Sequence, residues 1–325
     1  MSRSVCLLAA LLAGLATGFA DAADPVVEVR AYAVPAGAHP HDVWPDQNGI
    51  VWYTAQGQGA LGGLDPKTGA VRQIPLGPRS SPHGVIVAAD GAVWVSDGGQ
   101  NAIVRVDPDG DKVTRYPLPE RNGAADLNTT TFDDKGMLWF TGQSGVYGSV
   151  DPATGQVRVF AAPRGGGPYG ITATPAGEVW YASLAGSHIA RIDKASGNAL
   201  VIDPPTRGQG ARRIWADSRG RLWVSEWNAG QLARYDPAGG AWREWRLPGE
   251  RPHAYAVYVD ARDIVWLSDF GSNAVLRFDP ASERFQSYPS PRANAAVRQL
   301  AGRGDEVWGA ESGTDTLVVY RSRRD

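Results

Sequence analysis

Residues 90–97 read Asp-Gly-Ala-Val-Trp-Val-Ser-Asp, a turn followed by a short apolar segment that is centred on a tryptophan. Segments of the same form recur along the chain, each with an aliphatic residue directly before the tryptophan. Successive tryptophans of this kind are 41 to 45 residues apart, at Trp52, Trp94, Trp139, Trp180, Trp223, Trp266 and Trp308. One tryptophan at the same place in every repeat is expected to be a packing residue. Repeats of this length built from short β-type segments are typical of propeller blades, which need four strands each.

Each repeat also has the same internal order. The tryptophan segment follows an apolar run and a turn, and in the first six repeats an Asp, usually followed by Pro, comes about 13 residues after the tryptophan. In Asp65-Pro66-Lys67-Thr68-Gly69 the Asp, Pro and Gly suit a tight turn between two strands. Apolar residues at helical spacing are missing. We therefore predict an all-β, seven-bladed β-propeller with strands A to D in each blade.

The two ends of the chain predict how the ring closes. The seventh repeat stops just after its strand C, at residues 317–320, and so has no strand D. Residues 29–35, Val-Arg-Ala-Tyr-Ala-Val-Pro, resemble the strand D segment at residues 113–119. The N-terminal segment can therefore complete the last blade, which would leave no sheet edge open at the seam.

Residues 1–22 have the features of an export signal. Arg3 precedes an apolar run at residues 5–15, and Ala20-Asp21-Ala22 fits a small-x-small cleavage site. The chain's one cysteine, Cys6, lies within this segment, so the mature chain contains no disulfide or thiolate site. We expect a signal peptide at 1–22, a single propeller domain at 23–325, and a periplasmic or secreted protein.

Charge and hydropathy limit the expected partners. The formal net charge is −2, which gives no reason to expect nucleic acid as a partner. The apolar run of the leader is too short to span a bilayer. We expect a monomer that takes a small-molecule or peptide-like ligand at the mouth of the propeller channel.

The candidate site follows from the hairpin of strands A and B. Counting 11 residues back and 3 forward from each tryptophan gives residues at one mouth of the channel. These pairs are His41/Ala55, His83/Asp97, Asn128/Gly142, Tyr169/Ser183, Arg212/Glu226, Tyr255/Asp269 and Val297/Glu311. His253 precedes Tyr255 by two residues, and Arg298 follows Val297. Titratable groups that converge on a concave face predict a functional site, although a solvated mouth without chemistry is the alternative.

Roles within this set follow from residue chemistry. Carboxylates are ligands that Mg²⁺ accepts, so Glu226, Asp269 and Glu311 are candidate metal ligands. The candidate substrate-binding residues are His83, Asp97, Asn128, Tyr169 and Arg212.

Three segments resemble one known family. They are Arg251-Pro252-His253-Ala254, the segment at 265–274 and Pro168-Tyr169-Gly170-Ile171-Thr172, and together they resemble the streptogramin B lyases, or virginiamycin B lyase family. The resemblance covers all seven repeats, from residue 26 to residue 320. It implies a Mg²⁺-dependent elimination that opens the ester of a cyclic depsipeptide without water. A base would remove the proton α to the ester carbonyl, and the metal would polarise that carbonyl.

The resemblance also assigns residues one at a time. His253 matches the family's histidine that opens the sixth blade, and Glu311 matches its glutamate after the last tryptophan. The family's catalytic histidine, in a Glu-Pro-His segment, is replaced by Ala295-Ala296-Val297-Arg298, and its first-blade tyrosine by His41. The candidate catalytic residues are His253, His41, Tyr255 and Arg298.

Three functions remain open from the sequence. The first is a lyase of this type with an altered substrate, in which Arg298 or Arg212 binds a carboxylate or carbonyl of the substrate. The second is a metal-dependent lactonase-like hydrolase, which differs from a lyase because its product gains the mass of water. The third is a non-catalytic periplasmic propeller that binds a ligand or partner, since fold alone does not decide among these.

Overall fold

The computed structural model describes residues 26–107, 109 and 112–322. The predicted signal peptide lies outside the described residues. Strand β1 (Val27–Ala33) precedes the first blade. Blade 1 consists of Pro40–Pro45, Val51–Ala55, Ala60–Leu64 and Val71–Pro75 (β2–β5). Blade 2 consists of Pro82–Val87, Val93–Asp97, Ala102–Val106 and Val113–Pro117 (β6–β9).

The next three blades repeat this plan. Blade 3 consists of Leu127–Phe132, Leu138–Gly142, Val146–Val150 and Val157–Ala161 (β10–β13). Blade 4 consists of Pro168–Ala173, Val179–Ser183, His188–Ile192 and Ala199–Ile202 (β14–β17). Blade 5 consists of Ala211–Ala216, Leu222–Glu226, Gln231–Asp236 and Ala241–Arg246 (β18–β21).

The last two blades complete the ring. Blade 6 consists of Ala254–Val259, Val265–Asp269, Ala274–Asp279 and Arg284–Pro289 (β22–β25). Blade 7 contributes Val297–Arg303, Glu306–Glu311 and Thr316–Ser322 (β26–β28). Two short 3₁₀ turns, Gln56–Gln58 and Glu120–Asn122, lie between strands. Within the described part of the chain, no helix has the length and apolarity needed to cross a bilayer.

Seven separate four-stranded antiparallel sheets confirm the predicted seven-bladed propeller. The closure is also confirmed, because β1 pairs with β28 from Val27 opposite Ser322 to Ala33 opposite Thr316. The Tyr32 ring packs 5.5 Å from that of Trp308 in the same blade. The N-terminal strand therefore covers the edge that strand C of blade 7 would otherwise expose.

The repeated tryptophans are packing residues, as the sequence predicts. All seven are 4% exposed or less. In blades 1, 3, 5 and 6 the indole N–H donates to the carboxylate six residues earlier, as from Trp52 to Asp46 at 2.8 Å. In blades 4 and 7 it donates to Glu178 and Glu306, two residues earlier. A buried indole N–H needs such an acceptor. These hydrogen bonds join the A–B turn to the tryptophan in the core.

The predicted A–B pairs are wrong by one residue in six blades. The structure pairs Pro40 with Ala55 and then Val43 with Tyr53, so two strand A residues stand where strand B has one. The other blades have a register shift at the same place. The count assumed a hairpin without this β-bulge. Only Val297/Glu311 pair as predicted, and Arg298 then takes the bulge position in blade 7.

Candidate functional site

The first bulge residue of each blade belongs to a set of side chains that meet at the channel. We call this set the channel-mouth ring; it consists of His41, His83, Asn128, Tyr169, Arg212, Tyr255 and Arg298. Because a bulge re-aims the side chains next to it, residues from seven different strands converge here. The structure thus brings together seven of the twelve residues that the sequence proposed for the site.

Two phenols lie at the centre of the ring. The hydroxyl oxygens of Tyr169 and Tyr255 are 2.6 Å apart. Arg212 Nη2 donates to the Tyr169 hydroxyl at 3.0 Å, and Arg298 Nη1 donates to the Tyr255 hydroxyl at 3.3 Å. The Arg212 guanidinium also lies 3.7 Å from the centre of the Tyr255 ring. Two cations therefore flank one hydrogen-bonded phenol pair.

The two phenols differ in acidity. Burial by itself raises the pKa of Tyr255, but the positive charges of Arg212, Arg213 and Arg298 outweigh burial and lower it below its ordinary value. Burial raises the pKa of Tyr169, and the neighbouring Tyr255 raises it further. Tyr255 is therefore the more acidic member of the pair, and Tyr169 donates to it when it ionises.

A second layer lies behind the ring. Arg213 Nη2 and Nη1 donate to the two oxygens of Asp42 at 2.6 and 3.2 Å, across the channel from blade 5 to blade 1. Nη1 also donates to Thr129 Oγ1 at 2.7 Å. Arg213 and Asp42 are 4% and 1% exposed. Bidentate hydrogen bonds between arginine and a carboxylate are strong, and they fix the orientation of both side chains.

His41 takes its orientation from the same carboxylate. Its Nδ1 lies 2.9 Å from Asp42 Oδ1, which leaves Nε2 as the acceptor nitrogen. Burial and the charges of Arg213, Arg298 and Arg212 hold the pKa of His41 well below its usual value. The imidazole is therefore neutral at pH 7, with a lone pair on Nε2.

His83 packs against His41, with ring centres 3.6 Å apart. Its Nε2 is 3.2 Å from Asn128 Nδ2, and Asn128 Oδ1 accepts from the Thr129 hydroxyl at 2.9 Å. The amide therefore donates to Nε2, and the His83 proton lies on Nδ1. Burial, followed by the neighbouring His41, lowers the pKa of His83, so this ring is neutral too.

His253 lies beside the ring rather than in it. Its imidazole stacks on the indole of Trp227 at 4.9 Å, and its Nδ1 is 3.3 Å from the Trp227 carbonyl oxygen. The Arg212 guanidinium lies 4.8 Å from the same indole. His253 therefore reaches the ring through Trp227 and Arg212.

The carboxylates at the ends of strand B bind the loops of the mouth. Asp97 accepts from Ser80 Oγ at 2.6 Å and from the Ser81 backbone N–H at 2.9 Å. Asp269 accepts from the His253 backbone N–H at 2.7 Å and from Ser272 Oγ at 2.6 Å. Both carboxylates thus hold the segments that carry or flank ring residues.

Glu311 and Glu226 also have partners outside the ring. Glu311 accepts from Arg292 Nε at 2.6 Å and from Ser290 Oγ at 3.1 Å. Glu226 accepts from Gln231 Nε2 at 2.5 Å, while its other oxygen is buried without a hydrogen bond. Burial raises the pKa of Glu226 to about 8.

These positions test whether the residues present fit a magnesium ion. In the part of the chain that the structure describes, the one group of three possible ligands within 4.8 Å of one another is His41, Asp42 and His83. Mg²⁺ takes oxygen ligands, and this group offers one carboxylate that already binds Arg213 and His41. The two imidazoles and the one engaged carboxylate of this group therefore do not fit Mg²⁺. Magnesium binding stays a prediction from the family resemblance.

Sequence reasoning missed three residues of the site: Asp42, Thr129 and Arg213. Each directly follows a ring residue, and strict alternation along a strand would turn it away from the channel. A usable signal was present, because Asp42 and Arg213 are charged residues in the interior of predicted strands. Such residues are rarely buried unless they are paired.

The fold and the ring define a seven-bladed propeller with a polar, arginine-rich centre at one channel mouth. The model of the virginiamycin B lyase family matches residues 21–241. The chain therefore belongs to the virginiamycin B lyase family. No curated protein has a sequence that matches it.

Solved structures give the same fold. A streptogramin B lyase superposes with a TM-score of 0.84 at 21% identity, covering 91% of this chain and 98% of that one. A catalytically inactive His-to-Ala variant of the Staphylococcus aureus virginiamycin B lyase with quinupristin superposes with a TM-score of 0.83 at 22% identity, covering 91% and 99%. A propeller described as YCF48 bound to D1 peptide has a TM-score of 0.71 at 15% identity, covering 91% and 96%.

Proposed function

We propose that the protein is a carbon–oxygen lyase that eliminates an oxygen leaving group from a ligand bound at the channel-mouth ring. The observation that carries this proposal is the Asp42–His41 dyad beside a phenol pair and three arginines. A base, an acid and a cationic site for the developing charge are the parts that an elimination needs.

His41 is the proposed base. Asp42 accepts the hydrogen bond from Nδ1, which keeps the proton on that nitrogen and leaves Nε2 free to accept. Arg213 holds Asp42 from the other side, so the imidazole orientation is determined by buried contacts. Because the imidazole is neutral at pH 7, the lone pair on Nε2 is available to take a proton.

Arg212 and Arg298 are the proposed electrophilic groups. Removal of a proton α to a carbonyl places negative charge on the carbonyl oxygen, and both guanidiniums flank the central phenols. Fixed charges in a site of low water content stabilise such an oxyanion more than solvent does.

Tyr255 is the proposed acid for the leaving oxygen. The α C–H bond breaks with transfer of its proton to His41 Nε2, its electron pair forms the C=C bond, and the C–O bond breaks. The leaving oxygen takes the electron pair of that bond and a proton from the Tyr255 hydroxyl. The Tyr169 hydroxyl then donates a hydrogen bond to the resulting phenolate across their 2.6 Å contact.

The test is incubation of the purified protein with quinupristin and with simple esters of β-oxygenated acids, followed by mass spectrometry. A lyase gives products whose masses sum to that of the substrate, and it exchanges the α-proton in D₂O. H41A should lower the rate by about 10²- to 10⁴-fold, while Arg164→Gln on the exposed rim should not change it. A product that gains water indicates the hydrolase instead.

A second candidate is a propeller that binds a ligand without turnover. The observation that favours it is the closed ring: Asn128, Tyr169 and Tyr255 are 0%, 3% and 1% exposed. A similar fold binds a peptide in the YCF48 structure. Saturable binding without α-proton exchange, unchanged in H41A, would support this candidate over the lyase.

We also propose that the protein is exported with cleavage of its signal peptide. Cleavage after Ala22 would yield a mature chain that starts at Ala23. N-terminal sequencing of the protein recovered from a periplasmic extract checks this, and an intact Met1 there would contradict it.

A further inference from the structure

We infer that the substrate of this site is a carboxylic acid whose carboxylate lies between Arg212 and Arg298, and that arginine charge takes the electrophilic role without a metal. This inference rests on the proposed lyase function and names the substrate class for it. It departs from an ester substrate and from Mg²⁺, and it follows from how charge is distributed in the channel.

The ring and its second layer carry more positive than negative charge. Arg213 is matched by Asp42 through two hydrogen bonds. Arg212 and Arg298 instead bond phenol hydroxyls, and neither forms an ion pair with any carboxylate among the residues that the structure describes. With His41 and His83 neutral, two positive charges at the mouth have no counter-charge.

Several donors around these charges are also unused. The Nε atoms of Arg212 and Arg298 are buried without a hydrogen bond, and so is Nδ1 of His83. A buried donor without an acceptor is destabilising, and a charge without a partner more so. These groups therefore contribute little to the fold as they stand, and an anion at the mouth would satisfy them.

The charge count selects the kind of anion. Loss of the α-proton from an ester gives an enolate with one negative charge. Loss of the α-proton from a carboxylate gives an enediolate with two, which needs two nearby positive charges to form. Arg212 and Arg298 supply two, and guanidinium groups bind carboxylates with matched geometry.

The same count argues against a divalent cation at this place. A cation would add charge beside Arg212, Arg213 and Arg298, and its one available carboxylate, Asp42, is bound by Arg213 and His41. The arginines would supply the positive charge that a Lewis acid supplies in a metal-dependent elimination.

The experiment is calorimetric titration of the full mature protein with malonate, with malonamide as the neutral probe of the same size, and with MgCl₂ alone. We expect malonate to bind and malonamide not to bind. The R212Q and R298Q variants should each lower the affinity for malonate by at least about tenfold. Arg298→Lys, which keeps the charge, should retain part of the affinity. Arg164→Gln, which removes an exposed arginine, should bind as the wild type does.

The outcomes separate this inference from the proposed function. Equal affinity for malonate and malonamide, or malonate affinity unchanged in both R212Q and R298Q, overturns the inference without any variant having to be active. Turnover of an ester that requires Mg²⁺ overturns the inference and keeps the lyase. Arginine-dependent malonate binding with no elimination from any β-oxygenated acid keeps the anion site and overturns the lyase.

Discussion

At the scale of single residues, two arginines of the channel have opposite energetic roles. Arg213 satisfies Asp42 with two hydrogen bonds, and removing it leaves a buried carboxylate without its main partner. Arg298 bonds only a phenol hydroxyl, at 3.3 Å, so little is lost with it. The first arginine stabilises the closed ring, and the second is positioned for a ligand.

This difference predicts unequal effects on stability. We expect Arg213→Met to lower the free energy of unfolding by roughly 3 kcal/mol, because breaking a buried ion pair leaves one charge uncompensated. Arg298→Met should change it by less than about 1 kcal/mol. Urea unfolding followed by tryptophan fluorescence measures both, and similar losses in the two variants would contradict the assignment of roles.

Glu226 predicts a pH dependence. Its pKa is raised to about 8 by burial, against an ordinary value of 4.5 in the unfolded chain. Below pH 4.5 both states hold the proton and no free energy is lost. As the pH rises from 4.5 to 8, only the unfolded state ionises, so stability falls, by at most about 5 kcal/mol at ~1.4 kcal/mol per pKa unit.

Glu226→Gln should remove this dependence, because the amide stays neutral at every pH. We expect the variant to be more stable than the wild type at pH 8 and similar to it at pH 4.5. Melting temperatures across this range give the comparison. A parallel decline in both proteins would mean that another group is responsible.

At the scale of strands, the bulge at the start of strand A builds the site. In blade 1 it aims His41 into the ring and Asp42 behind it, although the two are adjacent in sequence. A regular strand would send them to opposite faces. The bulge is thus the element that makes a dyad out of neighbouring residues.

The A–B turn is a second structural element that can be tested. Asp46 accepts from the indole of Trp52 at 2.8 Å and from the backbone N–H groups of Asn48 and Ile50 at 2.9 Å. We expect Asp46→Ala to cost about 2 kcal/mol, since it leaves buried donors unsatisfied. Urea titration against Asp65→Ala, whose carboxylate holds an exposed turn, provides the control; equal costs would contradict the role of Asp46.

At the scale of the whole molecule, stability depends on closure of the ring. Strand β1 joins the two ends of the chain over seven residue pairs. Without it, β28 would present an open edge, which favours aggregation. Closure also matters to the site, because the Asp42–Arg213 contact joins blades 1 and 5 across the channel.

Deletion of residues 23–33 should therefore lower the melting temperature by more than 10 °C, as a loss of several kcal/mol implies for a chain of this size, and should produce aggregates. A synthetic peptide of residues 26–35 added in trans should restore part of the loss. Calorimetry and light scattering measure these effects. A deletion variant that melts like the intact protein would show that β1 is dispensable.

The sequence by itself determined the number of blades, the N-terminal closure and the packing role of the tryptophans. These features arise from local patterns that reinforce each other: the tryptophan segment recurs seven times, and the turn that begins at Asp65 has a counterpart in the five repeats that follow. It also identified all seven residues of the ring, because the count from each tryptophan gives six of them and the seventh, Arg298, directly follows the counted Val297.

Only the tertiary structure decided the pairing register, the Asp42–Arg213 contact and the loop-holding roles of Asp97 and Asp269. A one-residue bulge changes which side chains face the channel and leaves almost no trace in the hydrophobic pattern. Asp42 and Arg213 are 171 residues apart and meet because the ring closes. Charge pairing across a channel depends on that closure, and local sequence cannot specify it.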